Sequence, residues 1–214
     1  MPPLTVGRTY GINFALSGST KGTVTVSLGK SQSVPYGWTG DTFPAFITVT
    51  DPDSLLSFIP TDDYDGSISH IRVVELGDEL AGDDTFTLTQ GWSREDGAFR
   101  HVAGEPAGLI VNVPAAAGHT YRVYFGISDA TDAHPEWKSG TVSLGGNGKT
   151  GWFTRGGNYS FDITATEDGP LVINPVDTKN GGGAGFDGAV SRFSVREVAS
   201  DVTRAATPAA PAGN

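Results

Sequence analysis

The chain has no cysteine among its 214 residues. A disulfide framework and a thiolate metal centre are therefore excluded, and stability must come from core packing or from assembly. Charge is scarce as well: 18% of residues are charged, with 14 Lys plus Arg against 24 Asp plus Glu. A net charge of −10 excludes the clustered cationic surface that a phosphate backbone requires, so nucleic acid is not an expected partner. No apolar run approaches the ~18 residues of a membrane span, and Met1–Arg8 carries no apolar stretch of the signal-peptide kind. Neither a membrane nor a leader is expected. Apolar residues nowhere keep helical spacing over a useful length, which excludes a helical domain.

Turn formers are abundant instead, with 30 Gly and 13 Pro. Short runs of Val, Ile, Thr, Phe and Tyr lie between Gly and Asp clusters, the composition of an all-β protein. One stretch occurs twice. Gly7-Arg8-Thr9-Tyr10-Gly11-Ile12-Asn13-Phe14-Ala15-Leu16-Ser17 returns as Gly118-His119-Thr120-Tyr121-Arg122-Val123-Tyr124-Phe125-Gly126-Ile127-Ser128. Large apolar residues take every second position in both (Tyr10, Ile12, Phe14, Leu16; Tyr121, Val123, Phe125, Ile127), which puts them on one face of a strand.

Further units recur in the same order. Thr23–Leu28 alternates, with Val24, Val26 and Leu28 expected inward, and Gly22–Gly29 around it matches Gly140–Gly145, which is two residues shorter. Ile47–Thr50 matches Ile163–Thr166, the run Leu55–Pro60 matches Leu171–Pro175, and Asp65–Leu76 matches Asp187–Val198. Between the second and third units a loop containing Pro35, Trp38 and Gly40 is expected, and Trp38 has a counterpart in Trp152. The growing offset is absorbed at 129–139 and 178–185, as loops allow. The chain therefore reads as two tandem antiparallel β-sandwiches. Residues 1–77 form the first, 78–198 the second, and 199–214 an Ala/Pro-rich tail, extended or disordered.

The two copies are unequal. Ahead of its Gly-x-Thr-Tyr strand the second has Thr85–Thr89, Trp92, Phe99 and Gly108–Pro114, which read as two or three further strands. The first has only Met1–Val6 there. A sandwich without its opening strands has an unpaired sheet edge and an open core, so something should cover it: the second domain, another copy, or a strand from a different protein.

The chemistry is sparse. No catalytic motif is present and no catalytic residue is assigned. Gly145-Gly146-Asn147-Gly148-Lys149-Thr150 ends like a phosphate loop but lacks the spacing, and a two-residue turn explains it better. His70, His101, His119 and His134 have no ligand spacing and read as surface or strand-edge residues. The carboxylates gather in turns (Asp51 and Asp53; Asp62, Asp63 and Asp65; Asp83 and Asp84; Asp129 and Asp132), where Asp bonds to backbone. Such turns can hold Ca²⁺, but no loop of the right length occurs, and neither a metal site nor a cofactor is assigned. Trp137, in the loop Asp132–Lys138, is the one ligand candidate: it could stack on a sugar or anchor a protein interface. Trp38 and Trp152 recur at matching places and read as packing residues.

The best instance of the repeated unit is Gly118–Phe125, Gly140–Gly146, Tyr159–Ala165, Leu171–Ile173 and Phe186–Val195. It resembles the jelly-roll sandwiches related to carbohydrate-binding modules, and in particular those of virion proteins of tailed bacteriophages, over most of residues 7–198. The resemblance implies a non-enzymatic virion protein that decorates or cements the capsid, or forms part of a fibre or tail. Its implied partners are other virion proteins and copies of itself. The alternative is a carbohydrate-binding adhesion module, with a glycan held by loop aromatics. The outward positions Thr23, Thr25, Ser27, Thr141 and Ser143 are small or polar, which speaks against a sugar groove on that sheet face.

Overall fold

A computed structural model of the protein describes residues 4–37, 40–51, 55–128, 140–153, 156–175 and 186–203, with backbone alone at 40–43 and 147–153. Its described elements are all strands. The chain divides into two compact units. Residues 1–77 and the stretch from Val198 onward make the first, and Asp78–Glu197 makes the second.

The first unit has two antiparallel sheets. One is built on β1 (Thr9–Ser17), which lies between β4 (Gly40–Thr48) and β6 (Ser67–Glu79). The other has the order β3 (Ser31–Tyr36), β2 (Val24–Leu28), β5 (Leu56–Pro60). The period of two sends Tyr10, Ile12, Phe14 and Leu16 from one sheet, and Val24, Val26 and Leu28 from the other, into a shared core in which each is at most 1% exposed. Phe14 meets Tyr36 and Phe58 edge-on, with centroids 5.2 Å away in both cases. Each such burial contributes about 1.5–3 kcal/mol.

The stretch expected to be a loop around Pro35 holds β3 and the start of β4. Ser31-Gln32-Ser33-Val34-Pro35-Tyr36 lacks an apolar alternation because it is an edge strand with little to bury, and proline is tolerated there since its missing N–H faces no neighbour. The expected tail also starts later than residue 199. The last strand, β16 (Gly188–Asp201), continues past Val198, and Val202 is 5% exposed in the first core. Val202 N–H donates to the Val73 carbonyl (2.9 Å), and Arg72 pairs with Asp201 at 3.0 Å. The chain thus returns to its first unit after completing the second. The remainder, 204–214, lies outside the described residues.

The second unit is the fuller sandwich. One sheet contains β11 (Thr120–Ser128) between β14 (Gly157–Thr164) and β16, with β9 (Ala98–His101) and β8 (Trp92–Glu95) beyond β16. The other runs β13 (Asn147–Phe153), β12 (Gly140–Leu144), β15 (Gly169–Pro175), β10 (Leu109–Ala115), β7 (Phe86–Thr87). Leu109, Val111, Val123, Phe125, Val142, Leu144, Leu171 and Ile173 are fully buried between them. The segment ahead of β11 therefore supplies four strands, β7 to β10. Among the described residues the first unit has no strand where these four stand.

Equivalent turns confirm the duplication atom by atom. Tyr10 Oη accepts from Thr5 N–H and Tyr121 Oη from Ala116 N–H, each at 2.9 Å. Leu4 therefore stands where Ala115, the last residue of β10, stands. Both long last strands also carry the same irregularity. His70 and Ile71 together oppose Phe14, and Arg192 and Phe193 together oppose Phe125. His70 and Arg192 each have φ +52°, a left-handed backbone that side chains resist.

Candidate interaction edge of the first unit

β5 is short and uncharged: Leu56-Ser57-Phe58-Ile59-Pro60, preceded by Leu55. It pairs with β2 in the register Leu28↔Leu56, Ser27↔Ser57, Val26↔Phe58, Thr25↔Ile59. Gly29 N–H donates to the Leu55 carbonyl (3.1 Å) and Thr61 N–H to the Thr23 carbonyl (2.9 Å). In an antiparallel ladder these bonds fix the parity. Leu55, Ser57, Ile59 and Thr61 turn their backbone groups toward β2. Leu56, Phe58 and Pro60 turn theirs the other way, where no described strand pairs with them.

The second unit shows what that edge lacks. Gly145 N–H donates to the Pro170 carbonyl (3.2 Å), the counterpart of the Gly29–Leu55 bond. Leu171 and Ile173 thus match Leu56 and Phe58. There β10 lies alongside, with Leu109↔Ile173 and Val111↔Leu171. Leu171 and Ile173 are fully buried, whereas Leu56 and Phe58 are only partly so. On the other face of β5, Leu55 is 77% and Ile59 44% exposed. The sequence pointed to the missing strands but not to these particular groups, because parity is set by hydrogen bonds that only the register reveals.

The end of β5 is held firmly. Gly22 has φ +76°, and a Cβ there would lie 2.6 Å from the Tyr64 backbone, so the turn at Thr61–Asp65 closes tightly against it. The Asp65 carboxylate accepts from the Thr20 hydroxyl, from Thr20 N–H (2.8 Å) and from Lys21 N–H (3.3 Å). These bonds, the hydroxyl's foremost, hold its pKa at about 2, below the ordinary 3.8. Tyr64 is shifted upward, by burial first and by the Asp65 charge second.

The other expected site residues fare differently. Trp137, His134, Asp129 and Asp132 lie outside the described residues, as does Trp38; Trp152 is described in backbone only, paired with Thr141 in the β12–β13 hairpin. The turn Gly145-Gly146 joins that hairpin in two residues with φ +46° and +67°, which is a hairpin turn and no phosphate cradle. His70 is exposed, and His119 Nδ1 lies 2.6 Å from Glu197 Oε1 at the surface. His101 corrects the surface reading: it is fully buried. Its Nδ1–H donates to the Phe186 carbonyl (2.6 Å), and its ring packs against Trp92 (4.7 Å) and Phe186 (5.9 Å). Position alone could not reveal this, because β8 and β9 fold His101 under residues far along the chain. Arg122 is a second buried polar group, 1% exposed, gripped by Asp162 through Nε (2.7 Å) and Nη2 (2.9 Å).

The described turns use their acids for structure. Asp51 accepts from Lys30 N–H (2.9 Å), and Asp83 pairs with Arg94 (2.6 Å). Among the described residues no three His, Asp or Glu side chains gather as a metal site. The described Trp, Tyr and Phe side chains are buried or half-buried.

No family model matches the chain, and no curated protein does. Among solved structures, the N-terminal CBM22-1–CBM22-2 tandem domain of Paenibacillus barcinonensis Xyn10C is similar at a TM-score of 0.30, with 10% sequence identity, over 91% of this chain and 80% of that one. At that score the likeness carries no argument about site or activity. The two sandwiches stand on their own strand pairings and cores.

Proposed function

We propose that the protein works by association and not by catalysis, as a virion structural protein that decorates or cements a shell or forms part of a fibre or tail. The observation that carries this reading is the outer edge of β5, with which no described strand pairs, flanked by exposed Leu55 and Ile59, where the sister unit has β10 in place. Such an edge offers main-chain donors and acceptors in a row beside apolar side chains, which is what strand addition by a neighbour uses. The motif residues of both units are spent on cores and turns, and no reactive constellation competes with this reading among the described residues. Its partners would be shell or tail subunits and copies of itself, and its location the virion.

The test is co-sedimentation of the purified full chain with assembled heads and tails of a tailed phage from the same source, alongside a glycan array. Saturable recovery with either particle supports the reading. A protein that stays in the supernatant and binds array glycans would overturn it in favour of a carbohydrate-binding module.

A further inference from the structure

We propose that the outer edge of β5 pairs with the same edge of a second copy of this chain, antiparallel about a two-fold axis through Ser57. The inference rests on the associative function proposed above and names its first partner.

The pairing follows from the parity of β5. With Ser57 opposite its own copy, Leu56 faces Phe58 of the second copy, and Phe58 faces its Leu56. Both residues turn their N–H and C=O groups outward, where no described strand pairs with them, so each facing pair would exchange two main-chain hydrogen bonds. Pro60, which has no N–H to give, falls beyond these bonds and costs nothing. A two-fold contact uses the same patch on both copies and closes on itself.

The side chains agree with this register on both faces. Inward, Leu56 and Phe58, half-buried at the rim of the first core, would meet Phe58 and Leu56 of the copy. Outward, Leu55 would meet Ile59 and Ile59 would meet Leu55, covering two exposed apolar side chains. No charge lies between Leu55 and Pro60 to repel a like strand across the axis. Of the devices that blunt an edge strand, β5 has its short length and Pro60 at one end, but between Leu55 and Ile59 it has neither charge nor bulge.

The sister strand argues for a second copy over a donated β10-like strand. β15 is covered by β10 inside its own unit, and where β5 has Leu55 and Ile59 it has Pro170 and Asn174. On that outward face the covered strand has its large aliphatic group at the middle, Val172, with Ile110 of β10 opposite it. β5 has Ser57 at the middle and large aliphatic groups at both ends, spaced so that each meets the other across the axis.

The experiment is sedimentation equilibrium of the full chain from ~1 to ~200 µM, without particles, together with amide exchange at Leu56 and Phe58. The expected result is a monomer–dimer equilibrium in which those two amides gain protection as concentration rises. The double variant Leu55→Lys/Ile59→Lys, altered only at exposed side chains, should keep its melting temperature and dimerise at least about tenfold more weakly. A chain that stays monomeric throughout overturns the proposal, as does a dimer that the double variant leaves intact. A monomer whose Leu56 and Phe58 amides are protected only by a peptide of the Leu109–Ala115 sequence overturns it in favour of a donated strand. Because no particle is present, the outcome is independent of co-sedimentation. A dimer that binds no particle would refute the virion reading alone, and a particle-binding monomer would refute the pairing alone.

Discussion

Leu171 and Ile173 are shut off from solvent in the second unit, while Leu56 and Phe58, at matching places in the first, remain half-open. The strands that carry them share a neighbour of the same kind: β12 for β15 and β2 for β5, in the same register, with the same bond at the turn. What differs is one strand further out. β10 donates Leu109 and Val111 to the second core and hydrogen-bonds the edge of β15. The comparison teaches that burial of a strand's inner face depends on its lateral neighbour as much as on the sheet it faces.

The hardest way to break the comparison is to give the second unit the first unit's edge. Val111→Pro removes a main-chain donor opposite Leu171 and disturbs a fully buried side chain. We expect a loss of about 3 kcal/mol in stability, and Leu171 and Ile173 amides that exchange as fast as those of Leu56 and Phe58. Unchanged protection at Leu171 would show that β10 is not what closes this edge.

Truncating matched residues sharpens the same point. Ile173→Ala should cost about 3 kcal/mol, since a fully buried residue leaves a cavity. Phe58→Ala removes the larger side chain yet should cost only about 1–2 kcal/mol, because Phe58 is only partly buried at the rim of the core. Urea unfolding with a separate exchange probe in each unit measures both, and equal losses would contradict the open-edge description. Addition of a strand to β5 should raise the cost of Phe58→Ala toward that of Ile173→Ala.

A feature on which the units agree predicts a smaller effect. His70 and Arg192 hold φ +52° at the same bulge in both units. Replacing either by glycine relieves that conformation and should stabilise its own unit by about 0.5–1 kcal/mol. Destabilisation by either substitution would mean that the side chain, and not the bulge, is what the fold needs.

The smallest effect concerns the turn at the end of β5. Asp65 has a folded pKa of about 2 against an ordinary 3.8. A depressed carboxylate stabilises the fold above the unfolded value, and that contribution fades as pH falls from ~4 through ~2. Asp65→Ala should therefore melt below the wild type at pH 7, with the gap narrowing by pH 2. Asp65 is fully exposed to solvent screening, so the shift is expected to be slight, and a gap that does not change with pH would remove the ionised Asp65 from the account.

The strands of the repeated motif were legible in the sequence. Thr9–Ser17 and Thr120–Ser128 run as the alternation of their apolar residues dictates. Legibility failed where pattern and burial part company. β3 has polar residues and a proline because this edge strand gives the core little beyond Tyr36. His101 looks like any strand-edge histidine, yet Trp92 across its hairpin and Phe186, 85 residues on, enclose it. The role of 198–203 was hidden for the same reason: Val202 reads as the end of a chain until it is seen packing beside Val73 in the first core.

The sequence by itself determined the strand faces, the duplication and the inequality of the two copies, because each of these is a matter of local period and order. Tertiary structure alone decided which backbone groups of β5 face outward, which side chains remain open there, and that the last strand returns to the first unit. Those depend on register and lateral pairing, and both are settled between segments far apart in the chain.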